Sequence, residues 1–290
     1  MNHHFILVEY NNVPYPAPYQ ANIKEVAGHF DKTPIKINTP YSLHTEYSYG
    51  KRKFDTELMA KFPELSSANK DGVPQLWKSQ EWADEFADFV IALTSPTIPP
   101  TTVEIHPPFT DYCSIDDFAV RFRIFEEKLH LTYPNTAIVI ENRAGSVYRG
   151  GKFLFSKAKD IAVLCELIET HHLKLGIVLD FPQLLTAEAI DTLNFNYTKY
   201  STAIDLLTKY QKKIQGIHIW GKKKSASGRW VAHAGTLDTY FGGNETAKSA
   251  FLTGIYKVCN DGNVRFLVPE VNSSAEDLAS IIVDFLECTD

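Results

Sequence analysis

The sequence predicts a single (β/α)8 TIM barrel that spans residues 1–290 as one domain. Strand and helix signals alternate along nearly the whole chain, and no strong linker interrupts them. Five short apolar runs are typical of buried strands, because they are rich in β-branched residues and too short for helices. Each run ends in a residue that metal ions favour, namely His106, Glu141, Asp180, His218 and Glu270. An open doubly wound sheet is the alternative, although no Gly-x-Gly-x-x-Gly motif follows a strand to suggest a dinucleotide site.

Residues two places before these five ends share a face with them, because side chains alternate along a strand. Those positions hold Glu104, Val139, Val178, Gly216 and Val268. Three of them are aliphatic, one is small and only Glu104 is charged, which is typical of the inward layer of a closed barrel. The five terminal side chains would then meet at the C-terminal mouth, where barrels of this type carry their chemistry.

The N-terminal elements are less regular than the later ones. Residues 5–8 and 34–38 have the composition of strands. Residues 20–33 can hold a further short strand. Residues 50–76 contain a basic cluster, several polar residues and two prolines. We interpret them as a long loop insertion over the barrel mouth, since a loop of that length is unusual unless it is functional.

The helices are indicated by apolar residues at helical spacing. The first two cover residues 82–93 and 118–129, and a capping box at Ser114 and Asp117 precedes the second. Further helices fit residues 158–171, 198–213, 245–259 and 275–287. Their aromatic and aliphatic stripes are typical of faces that pack on the barrel rather than of cofactor contacts.

Composition limits the classes of function. The formal net charge of −6 gives no general attraction to polyanions, although the basic run Lys222–Lys224 can still bind an anion locally. No apolar run approaches the roughly 18 residues of a membrane span, and the N-terminus lacks a signal-peptide pattern. The sequence therefore predicts a cytoplasmic protein with no membrane partner. Four scattered residues are expected to be reduced thiols: Cys113, Cys165, Cys259 and Cys288.

Glu141, Asp180, His218 and Glu270 form the strongest candidate site. Three carboxylates and one imidazole make an oxygen-rich site suited to manganese, magnesium or cobalt, with zinc also possible. Three acidic groups that point into one mouth would repel each other without a cation. The alternative is that each residue merely ends its strand and faces solvent.

Other residues are candidates for additional metal or substrate contacts. His106 ends an equivalent strand, and His233 lies in the loop after the His218 strand. Arg143 shares a strand face with Glu141, where it can clamp a substrate or hold the metal carboxylates by a salt bridge. We interpret His44 as a surface-loop residue and place His29 in a helical segment.

Several motifs in this order resemble the xylose-isomerase-like TIM-barrel superfamily. That superfamily includes metal-dependent sugar isomerases and epimerases and the endonuclease IV type of abasic-site nuclease. Residues 140–145 (IENRAG) are similar to the nuclease segment with Glu-Asn followed by Ala-Gly. Residues 179–183 (LDFPQ) are similar to the shared Asp-x-x-His element, with Gln183 in place of histidine. His218, the basic loop after it and His233 resemble the strand-end and loop histidines of the nuclease.

The resemblance implies a complete four-ligand set for an isomerase or epimerase: Glu141, Asp180, His218 and Glu270. In those enzymes two glutamates serve both as metal ligands and as proton-transfer groups. The resemblance implies these two roles for Glu141 and Glu270. The nuclease's three-metal cluster is less complete, because Gln183 replaces a histidine and Val231 an aspartate. Asn38 similarly stands where an early histidine is expected. We therefore expect about one tightly held ion per chain.

Three hypotheses about function follow. The first is isomerisation or epimerisation of a sugar or related polyol or ketose through an enediolate, with Arg143 or Gln183 orienting hydroxyls. The second is phosphodiester hydrolysis at abasic DNA, with His106 and His233 binding additional metal. The third is a catalytically silent barrel with a binding or scaffold role, since a shared fold does not fix function. The expected partner is a small sugar-like molecule, or nucleic acid under the second hypothesis, and a homo-oligomer is compatible with the sequence.

Overall fold

The structure is a computed structural model that describes residues 5–10, 12–17, 19–145 and 151–287. The strands in chain order are β1 (Phe5–Glu9), β2 (Ile23–Gly28), β3 (Tyr41–Thr45), β4 (Asn69–Lys70), β5 (Val73–Pro74), β6 (Thr102–Ile105), β7 (Ala137–Glu141), β8 (Leu175–Asp180), β9 (Ile214–Ile219), β10 (Lys222–Lys224), β11 (Trp230–Ala232) and β12 (Arg265–Pro269). The helices are α1 (Pro63–Ser67), α2 (Gln80–Thr94), α3 (Ile115–Thr132), α4 (Ala158–Thr170), α5 (Phe181–Ala187), α6 (Tyr197–Thr208), α7 (Leu237–Tyr240), α8 (Glu245–Cys259) and α9 (Ala275–Glu287).

Eight parallel strands close into a barrel, which confirms the predicted fold class. Around the barrel their order is β1, β2, β3, β6, β7, β8, β9 and β12, and β12 pairs with β1 to complete the circle. The order follows the chain, so each barrel strand lies beside the next one. The remaining strands form two small antiparallel hairpins, β4–β5 and β10–β11. The second hairpin carries the basic run that the sequence placed in a loop after His218.

The outer helices cover the barrel with the apolar faces that the sequence predicted. Helix α2 buries Trp82, Phe86 and Phe89, and α3 begins with the predicted capping box between Ser114 and Asp117. Phe86 stacks on Phe125 of α3 with ring centroids 5.0 Å apart. Within the described residues, no helix has both the length and the apolar character that a membrane span needs.

The third barrel strand differs from the prediction. Residues 34–38 are not a strand, and β3 begins at Tyr41 instead. Ile35 and Ile37 alternate as in a strand, but they pack against the core beside α2, where the Ile35 amide donates to the Leu93 carbonyl at 2.8 Å. The further short strand that residues 20–33 can hold is present as β2. The described residues that link β1, β2 and β3 contain no helix, so this part of the barrel departs from strict strand–helix alternation.

The insertion at residues 50–76 is present and largely ordered into local structure. It contains a 3-10 turn, α1 and the β4–β5 hairpin. Met59 and Leu65 are fully buried in the main core, and Glu85 of α2 accepts hydrogen bonds from the Glu64 and Leu65 amides. Residues 59–65 of the insertion therefore pack beside α2 on the barrel's flank, not over the barrel mouth as the sequence predicted.

Three of the four cysteines can be compared with the prediction of reduced thiols. Cys113, Cys165 and Cys259 are free and buried. Burial raises the pKa of each of these thiols to about 12, so the thiolate form is scarce near neutral pH. Cys288 lies outside the described residues.

The packing of α3 on the barrel gives a direct test of the fold. Phe122 is fully buried and Val120, on the same helix, is 48% exposed. We expect Phe122→Ala to lower the free energy of unfolding by about 3–5 kcal/mol, because it removes a large core side chain. Val120→Ala is the matched control and should change it by less than about 0.5 kcal/mol. Urea denaturation followed by circular dichroism measures both, and equal losses in the two variants would contradict the observed burial.

Candidate metal centre

Four neighbouring strands each bring one candidate ligand to the same end of the barrel. Glu141 ends β7, Asp180 ends β8, His218 lies near the end of β9 and Glu270 follows β12. The register pairs Asp180 with His218, and His218 with Val268 two residues before Glu270. All four side chains are buried. The strand-end pattern in the sequence therefore corresponds to one cluster in space.

His218 lies at the centre of this cluster. Its Nδ1 is 3.3 Å from Glu270 Oε1 and 3.7 Å from Glu141 Oε1. Donor atoms of Glu141, Asp180 and His218 all lie within 4.8 Å of one another. One cation can therefore be reached by these three residues, and Glu270 adjoins them through its contact with His218.

The electrostatics of the cluster fit a bound cation. Burial and the charges of Glu141 and Glu270 raise the pKa of Asp180 well above its usual value. Both ring nitrogens of His218 and Glu270 Oε2 are buried without a well-aligned hydrogen bond among the described residues. Buried polar atoms are normally partnered, and a divalent ion would both satisfy these atoms and neutralise the mutual repulsion of the carboxylates.

Gln183 and Trp220 hold the carboxylates in place. Gln183 Nε2 donates to Glu141 Oε1 and to Asp180 Oδ2, each at 2.7 Å. Trp220 Nε1 donates to the same Asp180 oxygen at 2.9 Å. The other Asp180 carboxylate oxygen accepts a hydrogen bond from the backbone N–H of Gln183, so Asp180 is the N-cap of α5. Asn142 exchanges two hydrogen bonds with the Asp180 backbone, which fixes the ends of β7 and β8 relative to each other.

Arg143 and His106 both contact Glu141. Arg143 Nη1 donates to Glu141 Oε2 at 3.0 Å, so the salt-bridge interpretation of this arginine is the one seen in the structure. The guanidinium also lies over the ring of Tyr47, with its Cζ 5.4 Å from the ring centroid. His106 Nε2 is 2.9 Å from Glu141 Oε2, while its Nδ1 is 3.1 Å from the Glu46 carbonyl oxygen. Burial lowers the pKa of His106 to about 4.

His233 reaches the centre from the β10–β11 side. Its Nδ1 is 3.4 Å from Glu270 Oε2, and its ring stacks on Trp220 with centroids 4.5 Å apart. The backbone of His233 has a φ of 55°, which is uncommon for a residue other than glycine. Such a conformation needs support from its surroundings, and the stacking on Trp220 supplies part of it.

A second layer of charged residues lies beneath the candidate ligands, and sequence reasoning missed most of it. Glu104 Oε2 is 3.2 Å from His218 Nε2, and Glu104 Oε1 is 3.4 Å from His44 Nδ1. The same His44 nitrogen is 3.3 Å from Glu25 Oε1. Burial lowers the pKa of His44, but Glu25 and Glu104 outweigh it and raise that pKa to about 10. Donor atoms of His44, Glu104, His106 and Glu141 also lie within 4.8 Å of one another.

The placements of His44 and His29 were wrong. His44 lies in β3 and faces the barrel interior rather than a surface loop, and His29 follows β2 rather than lying in a helical segment. The strand assigned to residues 34–38 displaced β3 in the prediction. With β3 at Tyr41–Thr45, strand alternation from the buried Leu43 would have drawn attention to His44.

A cavity of about 470 Å³ opens onto the cluster. Glu141, Glu270, Gln183, Arg143 and His233 line it together with aromatic side chains and Lys222. The aromatic lining residues include Tyr10, Tyr47, Phe153 and Trp220. Cavities of this size with a few convergent polar groups are typical of sites for small molecules.

No protein-family model matches the chain, and no curated protein sequence matches it. Among solved structures it is similar to a xylose isomerase domain protein from Alicyclobacillus acidocaldarius subsp. acidocaldarius, with 14% identity, a TM-score of 0.44, and coverage of 86% of this chain and 76% of that one. A D-tagatose 3-epimerase-like protein has 13% identity and a TM-score of 0.45, with coverage of 93% of this chain and 90% of that one. A sugar phosphate isomerase/epimerase from Parabacteroides distasonis ATCC 8503 has 11% identity and a TM-score of 0.36, with coverage of 85% of this chain and 86% of that one.

With identities of 14% or less and TM-scores below 0.5, these three similarities carry no argument about the family of this chain. Their identities and scores carry no information about the reaction. Function must therefore be inferred from the residues of the site.

Metal binding should stabilise the folded protein if the cluster holds a cation. At a metal concentration 100 times the dissociation constant, we expect roughly 2.7 kcal/mol of stabilisation. The measurement is the thermal midpoint of chelator-treated protein, with and without added Mn²⁺, Mg²⁺, Co²⁺ or Zn²⁺. Asp180→Asn should weaken the response by removing one carboxylate. An unchanged midpoint with all four ions would contradict a metal centre.

Proposed function

We propose that this chain is a divalent-metal-dependent isomerase or epimerase that acts on a sugar or a related polyol or ketose through an enediolate. The observation that carries this proposal is the arc of β7, β8, β9 and β12, in which each strand supplies one buried ligand. In order around the barrel the four ligands are Glu141, Asp180, His218 and Glu270. The arc has one glutamate at each end, which suits a reaction that removes a proton at one carbon and delivers a proton to the same or the neighbouring carbon.

The ion would be held by Glu141, Asp180, His218 and Glu270. We expect it to be manganese, magnesium, cobalt or zinc. Their donor set of three carboxylates and one imidazole suits these ions. When bound, such an ion polarises a carbonyl group and stabilises the negative charge of an enediolate.

The two glutamates have different surroundings, which suggests different roles in proton transfer. Glu141 is engaged by Gln183, Arg143 and His106. Glu270 Oε2 makes no hydrogen bond among the described residues, and Glu270 lines the mouth cavity. We therefore assign removal of the substrate proton to Glu270, which then carries that proton and can return it to the neighbouring carbon of a ketose. In an epimerisation Glu141 would instead deliver a different proton, taken up from solvent, to the opposite face of the same carbon, and Glu270 would release its proton to solvent. A base must come within hydrogen-bond reach of the proton it accepts, and the cavity gives a substrate access to both carboxylates.

The cavity lining supports a small polyol as substrate. Arg143, Gln183 and His233 offer polar contacts for hydroxyl groups, while Tyr47 and Trp220 offer flat surfaces for a sugar's apolar face. Arg143 is already paired with Glu141, so it can orient a hydroxyl without placing an uncompensated charge beside the substrate.

Phosphodiester hydrolysis at abasic DNA is the second candidate. It is favoured by His106, whose Nε2 lies 2.9 Å from Glu141 and so could share a further ion with it. Two features oppose a three-metal cluster. Gln183 donates its side-chain amide group to Glu141 and Asp180 in hydrogen bonds. Val231 stands in place of an acidic ligand, and this non-ligating residue is 43% exposed.

Changing Glu270 to glutamine should separate proton transfer from folding. The amide keeps the shape and one oxygen donor but cannot accept the proton, so we expect turnover to fall by about 10²–10⁴-fold. Metal affinity should also weaken because one charge is lost. The assay is exchange of the substrate's carbon-bound hydrogen with solvent, followed by NMR on a panel of ketoses.

Glu126→Gln is the control for this variant. Glu126 is also buried, but it lies on α3 and accepts a hydrogen bond from the Lys174 amide, remote from the cluster. It should exchange the substrate hydrogen at the parent rate. If Glu270→Gln did so too, Glu270 would not be the proton-transfer group.

The number of bound ions distinguishes the candidates. We expect elemental analysis of the purified protein to find about one tightly held ion per chain, because Gln183 and Val231 stand where the nuclease's further ligands are expected. Three zinc ions per chain would reverse the ranking in favour of the nuclease. An absence of metal, with none taken up on titration, would favour the silent barrel.

A further inference from the structure

We propose that Glu104 is a positioning residue that fixes the ring of His218, so that Nδ1 faces the metal centre and Nε2–H points at the Glu104 carboxylate. This inference rests on the proposed metal centre. It adds a layer of function to Glu104, His44 and Glu25, which the four-ligand set does not use.

The orientation of the His218 ring carries the first step. Nδ1 is the nitrogen near Glu141 and Glu270, at 3.7 and 3.3 Å, whereas Nε2 is near Glu104, at 3.2 Å. A neutral imidazole that binds an ion through one nitrogen keeps its proton on the other. Metal-bound histidines usually donate that proton to a carboxylate or carbonyl, which sets the tautomer and the ring orientation.

The distance between Nε2 and Glu104 is within the range of a hydrogen bond, although the two groups are not well aligned. Ligation at Nδ1 would fix the ring and complete this bond. Glu104 is 3% exposed, so water does not compete freely for its oxygens.

Glu104 is itself held from the other side. Its Oε1 lies 3.4 Å from His44 Nδ1, and Glu25 lies 3.3 Å from that same nitrogen. These residues come from the adjacent strands β2, β3 and β6. His44 thus lies between two carboxylates and within ion-pair distance of both, so a charged His44 ring balances the charge of Glu104 on the side away from His218.

A second ion held by His44, Glu104, His106 and Glu141 is the competing explanation, since their donor atoms also converge. The positioning role is favoured because both ring nitrogens of His106 are already engaged, Nε2 at 2.9 Å from Glu141 Oε2 and Nδ1 at 3.1 Å from the Glu46 carbonyl oxygen. A second ion would have to displace one of these contacts, whereas the contact between Glu104 and His218 Nε2 is compatible with one ion at Nδ1.

Two substitutions of Glu104 test the proposal through metal affinity. Loss of an outer partner of this kind typically weakens metal binding 10–100-fold, and we expect that range for Glu104→Leu. Glu104→Gln keeps an oxygen acceptor but loses the charge, so its loss should be smaller. Titration of chelator-treated protein with Co²⁺, followed by its visible absorption, gives the affinity and the number of ions. Glu126→Gln is the matched control for a buried carboxylate and should bind Co²⁺ as the parent does.

The nitrogen that binds the ion is read directly from the parent protein, so the test does not depend on the folding of a variant. Long-range ¹H–¹⁵N correlation spectra of the Zn²⁺-loaded parent should show His218 ligated at Nδ1 and protonated at Nε2. In Glu104→Gln the Nε2 proton signal should shift, which a merely structural role would not produce.

The outcomes separate this inference from the proposed function. A parent that binds one ion through His218 Nε2, or Glu104 variants that bind Co²⁺ with parental affinity, would overturn the positioning role and leave the metal centre standing. A second ion per chain that disappears in Glu104→Gln would make Glu104 a ligand and also overturn it. A parent that binds no ion would overturn both proposals.

Discussion

The repulsion among buried carboxylates at one end of the barrel is the constraint on which this site depends. Glu104, Glu141, Asp180 and Glu270 are all buried, and an unpaired buried charge is costly unless it is neutralised. The described side chains supply only part of the compensation, through Arg143 and the histidines. The raised pKa of Asp180, caused by burial and by Glu141 and Glu270, shows where the balance is incomplete. A divalent cation is the simplest group that resolves it.

The fold makes this concentration of charge tolerable by dividing it between two layers. In the upper layer Gln183 and Trp220 donate hydrogen bonds to Glu141 and Asp180 and hold these carboxylates together. In the lower layer His44 separates Glu104 from Glu25. His218 touches both layers, with one nitrogen in each. A ring in that position links the candidate ligands to the barrel interior, so its orientation depends on residues of the lower layer as well.

The sequence predicted the barrel and the convergence of four strand ends because both depend on local, regular signals. Strand alternation even identified Glu104 as the one charged inward residue. It did not predict His44, since Ile35 and Ile37 imitate a strand and displaced β3. It also could not show that Trp220 donates to Asp180, because Trp220 follows β9 and Asp180 ends the neighbouring strand β8, and no local signal predicts a side-chain contact between two strands. The short helix α5 was missed for a related reason: Asp180 ends a strand and caps a helix at the same residue.

Gln183 shows how one residue can bias a common barrel toward a single centre. A histidine at this position could bind a further ion with one ring nitrogen, but it could not also donate to two neighbouring carboxylates. The amide of Gln183 donates to Glu141 and Asp180 at once and has no ring nitrogen with which to bind a metal. It therefore draws two ligands of the proposed centre together and occupies the position from which a third ion would be held. Its contacts with these two carboxylates favour chemistry at one ion, with the surrounding side chains left to orient a small substrate.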